Sequence, residues 1–454
     1  MCLPKQKKRL MKTGAFNATR KYTRNAFQLF TRSGSIGGFI LFICAIIAVV
    51  VANTPSLHHL LNIWDLDMGI EVGKFSIKMD FIQWINDGLM AIFFLNVGLE
   101  IKHEILAGEL SQPKKAMLPI FAALGGMLVP AAIYSIFNAG TPSANGWGIP
   151  MATDIAFAMG VLALLGKSCP IGLKVFLTAL AIVDDLGSII VLAVFYPTHA
   201  IHIIYLVYAA IVMGILLLMN YMNARNSTWY IILGLFLWYF IFKSGIHATI
   251  AGVLLAITIP AKTRINEVRF YTNVQHLLNK FKAASHGELD VTSSPEQLDI
   301  LHQINNRVDD ISPLTDRFQF ALSTPVNYII MPLFALANAG VAFSGDIFGS
   351  SYFHIAEGIF LGLLIGKPVG IFLFSWLSIK LKLAQLPSHS TYNQLFAIGM
   401  VGSIGFTMSL FIDNLAFTDP EMVAVGKAAV LVTSAVAVVL GFIAVKITGR
   451  KKEA

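Results

Sequence analysis

The sequence predicts an all-α polytopic membrane protein with twelve transmembrane helices. Of its 454 residues, 56% are hydrophobic and only 13% are charged, whereas soluble domains carry about 25% charged residues. Apolar stretches of about 20 residues recur along nearly the whole chain, and each is long enough to cross a bilayer. The charges gather at the joints between these stretches. A large soluble helical protein would not supply so many spans with charge so confined.

The elements follow in order. Residues 1–34 form a basic leader, with Lys5, Lys7, Lys8, Arg9, Lys12, Arg20, Lys21, Arg24 and Arg32 and no acidic residue. The apolar run behind it is longer than a signal-peptide core and no small-residue cleavage site follows. An uncleaved first helix with a cytoplasmic leader is expected, a mitochondrial presequence being the alternative. The spans fall at 35–53, 81–105, 117–138, 148–166, 172–196, 201–220, 229–243 and 246–260, then at 318–343, 355–379, 393–416 and 422–446. The implied division is leader 1–34, eight helices within 35–260, a connector 261–315, four helices within 316–447 and a tail 448–454.

Alternate loops test the count. One set carries the leader, Lys102, Lys114, Lys115, Lys167, Lys174, Arg225, Lys262 to Arg317, Lys380, Lys382 and the tail lysines. The other holds Lys74, Lys78 and Lys243, with Asp65, Asp67, Glu71, Asp346, Asp419 and Glu421. Basic loops stay inside, so both termini are expected in the cytoplasm, which requires an even number of spans. The net charge of +8 therefore reflects membrane orientation, and no nucleic-acid partner is expected. The cysteines, Cys2, Cys44 and Cys169, are odd in number and indicate no disulfide framework.

The connector has two amphipathic pieces, near 265–283 and 296–308, joined by the linker Ser285–Pro295; a solvated link between two halves is expected. The fourth span reads Gly146-Trp147-Gly148-Ile149-Pro150-Met151-Ala152-Thr153-Asp154. The eleventh reads Gly399-Met400-Val401-Gly402-Ser403-Ile404-Gly405-Phe406-Thr407. Gly and Pro at this density allow an unwound segment. Bare backbone cannot face lipid, so such a segment is buried in protein or lines a wet cavity. Small residues also serve close helix packing, but paired interruptions, one in each half, point to a transport site.

Asp154, Asp184, Asp185 and Lys367 lie well inside apolar spans. Each costs about 2.5–3.5 kcal/mol at a helix centre, or about 10–14 kcal/mol together. A purely structural salt bridge does not account for the set, because one lysine cannot neutralise three carboxylates. Asp184 and Asp185 project about 100° apart on a helix. Two carboxylates so close, away from water, resist joint ionisation and titrate as a pair. A small hard cation such as Na+ or Li+ offers the same relief as a proton and prefers oxygen ligands. Carboxylates that accept either, but not both, are exchange machinery. Asp184 and Asp185 are thus the expected ligands of a transported cation and of protons. Lys367 is expected to balance helix-end dipoles or to carry a second proton, and both readings stay open. Asp154 is expected to balance charge at facing helix ends, with Thr153 beside it as ligand or cap.

Other polar positions rank lower. Glu100 and Glu104, one turn apart, are either pH-sensing or part of an interfacial face with Lys102 and His103. Asp87 is expected at the interface, His247 as a hydrogen-bonded packing residue and Asp413 facing water at the outer end of its span.

At these residues the chain resembles the NhaA sodium–proton antiporter family. The resemblance is carried by Trp84–Asp87, Val97–Glu100, Ala152–Phe157, Val183–Gly187, Lys243–Thr249, Pro332–Gly340, Leu364–Pro368 and Gly405–Ser409. It covers residues 35–447 apart from most of the connector. It implies inverted three-helix repeats, at 117–196 and 355–446, with the fourth and eleventh helices broken and crossing. It implies that Asp184 and Asp185 form the cation and proton site, that Thr153, Asp154 and Lys367 take the family's matching positions, and that inward proton flow expels Na+ or Li+. Substrates are then Na+ or Li+ and protons; no cofactor is expected, and whether two copies pair as a homodimer stays open. One departure stands out. Family members carry acidic and histidine residues linked to pH activation where this chain reads Asp316-Arg317-Phe318-Gln319-Phe320-Ala321-Leu322-Ser323. A shifted or flattened pH profile is expected.

Rival functions fare worse. An intramembrane aspartyl protease would need Gly-x-Gly-Asp, which is absent. A prenyltransferase would need spaced Asp clusters, whereas Asp184-Asp185 is followed by Leu186-Gly187-Ser188. A sodium-coupled symporter of a small organic solute is the stronger alternative, and it would show solute dependence where an antiporter shows none.

Overall fold

The computed structural model describes residues 35–72, 75–166, 169–196, 202–263, 265–284, 295–342, 352–387 and 390–449. The basic leader, most of the linker within the connector and the end of the tail lie outside the described residues. Among those described, seven helices are long and apolar enough to cross a membrane, or nine if each of two bent pairs is one span.

The helices are α1 (Ser35–Asn53), α2 (Met90–Leu106), α3 (Pro113–Asn138), α4 (Ile155–Leu165), α5 (Ile171–Phe195), α6 (Ile203–Tyr221), α7 (Ser227–Ser244) and α8 (Ile250–Thr258). After them come α9 (Glu267–Ala283), α10 (Pro295–Ile311), α11 (Leu314–Pro325), α12 (Met331–Asn338), α13 (Phe353–Leu361), α14 (Lys367–Lys380), α15 (Tyr392–Gly402), α16 (Phe406–Ala416) and α17 (Pro420–Gly449). Three wide π-type turns, Trp84–Leu89, Val326–Ile330 and Gly362–Gly366, lead into α2, α12 and α14. The last precedes Pro368, which brings no backbone donor to the turn before it and so loosens the helix where Lys367 begins α14.

One expectation needs correction. The all-α class has one exception, an antiparallel hairpin of β1 (Asp67–Val72) and β2 (Phe75–Asp80) that pairs Asp67 with Asp80 and Val72 with Phe75. Hydropathy over a span-length window is blind to six-residue strands, and this stretch reads as a polar loop. The expected interruption of the fourth span is present and short. Pro142–Met151 coils as a tight 3-10 helix, and only Ala152–Asp154 is extended before α4. Pro142 at its start has no amide donor to waste, which suits a helix N-terminus.

The described residues group into two compact units. One takes in those up to Ile85, Gln112–Leu192 and those from Asn327 onward. Its α3 and α14 approach so closely that a Cβ added at Gly125 or Gly370 would run into the other's carbonyl. Helix α1 lies on α4, where an added Cβ at Gly38 would meet the Ala156 carbonyl at 2.9 Å. Thr391 and Gln394 form a reciprocal cap that starts α15.

The other unit spans Asn86–Ser111 and Ala193–Val326. Its core joins Leu99, Leu216, Tyr230, Leu237, Ile241 and Ala256. Asn226 caps α7, and Gly245, in the left-handed region at φ 86°, ends it. Lys102 from α2 donates to the carbonyls of Ile257 at 2.7 Å and Ile259 at 2.5 Å, so an ammonium sits on the C-terminal end of α8. The connector helices α9 and α10 fold onto each other through Leu277, Phe281, Ala284, Ile300 and Ile304.

Candidate functional site

The two breaks meet. The backbone amide of Asp154, at the end of the extended stretch before α4, donates to the Ile404 carbonyl at 2.7 Å. Ile404 lies between α15 and α16, which are bent by 49°; the helical pieces around Ala152–Asp154 are bent by 40°. The Thr153 hydroxyl lies 3.0 Å from the Gly402 carbonyl, at the open end of α15. The Ser409 hydroxyl donates to the Ile149 carbonyl at 2.8 Å. Backbone groups freed by the interruptions are thus taken up by polar groups of the opposite broken span.

Charge is sorted by helix end. Asp154 accepts from the Phe157 amide at 3.0 Å, at the start of α4. It also accepts from the Thr407 amide at 3.1 Å and hydroxyl at 2.5 Å, at the start of α16. One carboxylate therefore caps two helix N-termini, where partial positive charge collects. Lys367 does the converse, donating to the carbonyl of Met151, the last residue of the 3-10 helix. Asp154 thus lies against two helix N-termini and Lys367 against the C-terminal end of the 3-10 helix, each beside the partial charge of the sign opposite to its own charged form.

Asp184 and Asp185 sit mid-way along α5 and are 0% and 1% exposed; Lys367 is 0% exposed. Asp184 Oδ2 accepts from Lys367 Nζ at 2.9 Å and from the Thr153 hydroxyl at 2.7 Å. Asp184 Oδ1, also buried, has no protein hydrogen-bond partner among the described residues. A buried acceptor left so costs about 1–3 kcal/mol, and more when charged. The neighbouring Asp185 is equally enclosed. The structure therefore gathers Thr153, Asp154, Asp184, Asp185 and Lys367 in one unit, linked by hydrogen bonds or adjacent in sequence. Its oxygen donors (two carboxylates and a hydroxyl) suit a hard cation. No group of three or more His, Cys, Asp or Glu side chains among the described residues forms a resident metal site.

Glu100 and Glu104 belong to α2, in the other unit. Glu104 accepts from the Glu109 amide at 2.9 Å, and their neighbour His103 lies 3.3 Å from Asp316. Asp87 keeps its place at the start of its span, where its carbonyl accepts from Trp238 Nε1 at 3.0 Å. His247 is buried.

Asp413 is a correction. It does not face water but is 0% exposed, lying so close to Gly426 that a Cβ there would run into its carboxylate. Lys427 follows Gly426 on α17. Sequence reasoning passed over Lys427 because it sits near the start of a long apolar helix, where one lysine reads as interfacial.

The family model described as Na+/H+ antiporter 1 matches residues 28–445. The chain is 42% identical over 428 residues to the Na(+)/H(+) antiporter NhaA 2 of Flavobacterium johnsoniae, covering 94% of each chain. It is 44% identical over 431 residues to the Na(+)/H(+) antiporter NhaA of Wolinella succinogenes, again covering 94% of each. A third relative, the Na(+)/H(+) antiporter NhaA of Helicobacter pylori, is 44% identical over 427 residues, covering 93% of this chain and 96% of its own. This chain belongs to the Na+/H+ antiporter 1 family, among relatives of the NhaA type.

Proposed function

We propose that the chain exchanges cytoplasmic Na+ or Li+ for external protons by competition at Asp184 and Asp185. The observation that carries the reading is the half-satisfied Asp184 carboxylate: one oxygen engaged by Lys367 and Thr153, the other buried without a protein partner among the described residues, beside a second buried acid. Relatives named as Na+/H+ antiporters along nearly the whole chain support the same chemistry. They lend no support to a symporter of an organic solute.

The steps follow from the charges. A cation approaching the bare Asp184 oxygen and Asp185 must displace either a proton or the pull of Lys367. When the cation leaves, protons or the ammonium again neutralise the acids. A doubly charged empty site is costly to move across a low-dielectric barrier, so the loaded forms are the mobile ones. Asp154 keeps two helix N-termini together through both states, and Thr153 couples that cap to Asp184. Nothing in this scheme forms or breaks a carbon bond, so the chain acts as a transporter.

The reading extends to the frame. Twelve crossings are formed by α1; the segment ending in α2; α3; the 3-10 helix with α4; α5; α6; α7; α8; α11 with α12; α13 with α14; α15 with α16; and α17. Residues 117–196 and 355–446 act as inverted repeats whose middle spans cross at their breaks. The bonds Asp154–Ile404 and Thr153–Gly402 support that crossing. Both termini face the cytoplasm of a bacterial inner membrane. The decisive experiment uses everted vesicles in which an acid-driven dye quench is relieved by Na+. Asp185→Asn is expected to abolish that relief while the protein still inserts. Full exchange by the amide variant, or relief that requires an organic solute, would overturn the reading.

A further inference from the structure

Helices α9 and α10 fold back on one another, and Gln297 Nε2 of α10 reaches the Phe281 carbonyl of α9 at 3.3 Å. The seam they bury is small. On α9 the packed side holds Leu277 and Phe281. Val268, Tyr271 and Leu278 stand outside it, 71%, 65% and 53% exposed. Their spacing of three and ten residues puts them on one helix face together with Lys282. On α10, Leu301 and Val308 flank Ile300 and Ile304 and are likewise exposed. For two right-handed helices packed antiparallel, these two sets of residues fall on the same broad side of the pair. Arg269 and Lys280 of α9, with Glu296, Asp299 and Asp310 of α10, fall on the opposite side. The connector is therefore a two-faced hairpin, one side apolar and one charged, and no described part of the chain covers the apolar side.

Its feet are fixed. Arg225, in the turn between α6 and α7, donates to the Asp310 carbonyl at 3.1 Å and to the Lys262 carbonyl. One guanidinium thus holds the chain just before α9 and at the end of α10. Arg317 adds a 3.4 Å contact to Asp309. Residues 262 and 310 adjoin the apolar helix α8 and the start of the span-length stretch Leu314–Asn338, and the ends of such helices are where a bilayer presents its interface. A helix with one charged and one apolar face, tethered at that level, has the lipid surface as its nearest apolar phase.

We propose that the connector lies in the plane of the membrane surface, with Val268, Tyr271, Leu278, Leu301 and Val308 seated at the boundary between phospholipid headgroups and acyl chains. Tyr271 presents an amphipathic ring suited to that depth, and the Lys282 stem runs along it with its ammonium at the headgroups. The charged side faces the aqueous phase.

The test uses the full chain, with Cys2, Cys44 and Cys169 replaced by serine, reconstituted in phosphatidylcholine vesicles. A fluorophore is attached at Leu278→Cys on one side or Lys280→Cys on the other. Lipid carrying a nitroxide near the top of its acyl chain is expected to remove more than half the emission at position 278 and little at 280. Aqueous iodide is expected to do the reverse. Equal quenching at the two positions by either agent would overturn the proposal. So would shielding of 278 from both agents that disappears on diluting protein in lipid, which would mark a second copy as the occupant. Hydrogen exchange on the unsubstituted protein adds a check free of the labels: amides of α9 should exchange more slowly in phosphatidylcholine nanodiscs than when lipid is stripped by detergent, and no difference counts against the proposal. Asp185→Asn should leave the quenching pattern intact, so a failure of the transport reading is distinguishable from a failure of this one.

Discussion

Removing the Lys367 ammonium would leave Asp184 with the Thr153 hydroxyl as its remaining donor among the described residues. Breaking a buried ion pair from one side costs about 3–5 kcal/mol, because the surviving charge stays buried. Lys367→Met is therefore expected to lower the thermal midpoint of the detergent-solubilised protein markedly. Adding Asp184→Asn should recover much of that loss, since the second substitution removes the stranded charge. A double variant no more stable than the single one would argue that Lys367 serves the Met151 carbonyl rather than the carboxylate. Thr407 gives a gentler probe of the other charge. Thr407→Val keeps the amide contact to Asp154 but deletes the hydroxyl one. A cost of about 1–3 kcal/mol is expected for a buried partner left short of a donor, read as a lower melting midpoint. An unchanged midpoint would mean that the amide alone holds Asp154.

At the scale of elements, α3 and α14 touch through bare backbone at Gly125 and Gly370. Gly370→Ala must push these helices apart, since neither carbonyl can give way as a flexible side chain would. Overpacking of this kind costs about 1–3 kcal/mol, and exchange should fall with stability because Lys367 lies one turn earlier on the same helix. Gly214→Ala in α6 is the matched control: an added Cβ there meets nothing within 4 Å. It should be neutral or stabilising by up to about 1 kcal/mol through helix propensity, and melting curves of the two variants check both. These elements also mark what could be read in advance. Apolar helices of span length were legible because hydropathy acts locally: Pro113–Asn138, Ile171–Phe195 and Ile203–Tyr221 lie within a few residues of the expected 117–138, 172–196 and 201–220. That Asp154 and Asp184 are costly inside a membrane was legible for the same reason. Their partners were not: Thr407 is 253 positions from Asp154 and Lys367 is 183 from Asp184, distances at which no local pattern speaks. The hairpin of β1 and β2 escaped because its strands are too short for a window built to find spans. Asp413 escaped because its place near a helix end hid its burial against Gly426.

At the scale of the whole molecule, the connector interrupts the order of helices without separating its own two ends. Arg225 reaches the carbonyls of both Lys262 and Asp310, so those two points lie within hydrogen-bond reach of one side chain. A loop whose ends are already together can be shortened at little cost in closure entropy, which varies only slowly with length. Four extended residues span about 13 Å, enough to join them. Replacing residues 265–308 with a four-residue Gly-Ser bridge should therefore leave expression, insertion and Na+-dependent relief of the dye quench close to those of the full chain. The same deletion removes the face proposed to rest on the membrane surface, so exchange that survives it separates that face from transport. A shortened chain that inserts normally yet exchanges nothing would contradict this separation. It would mean that α9 and α10 move with the transport cycle, and that the Arg225 clamp transmits the motion.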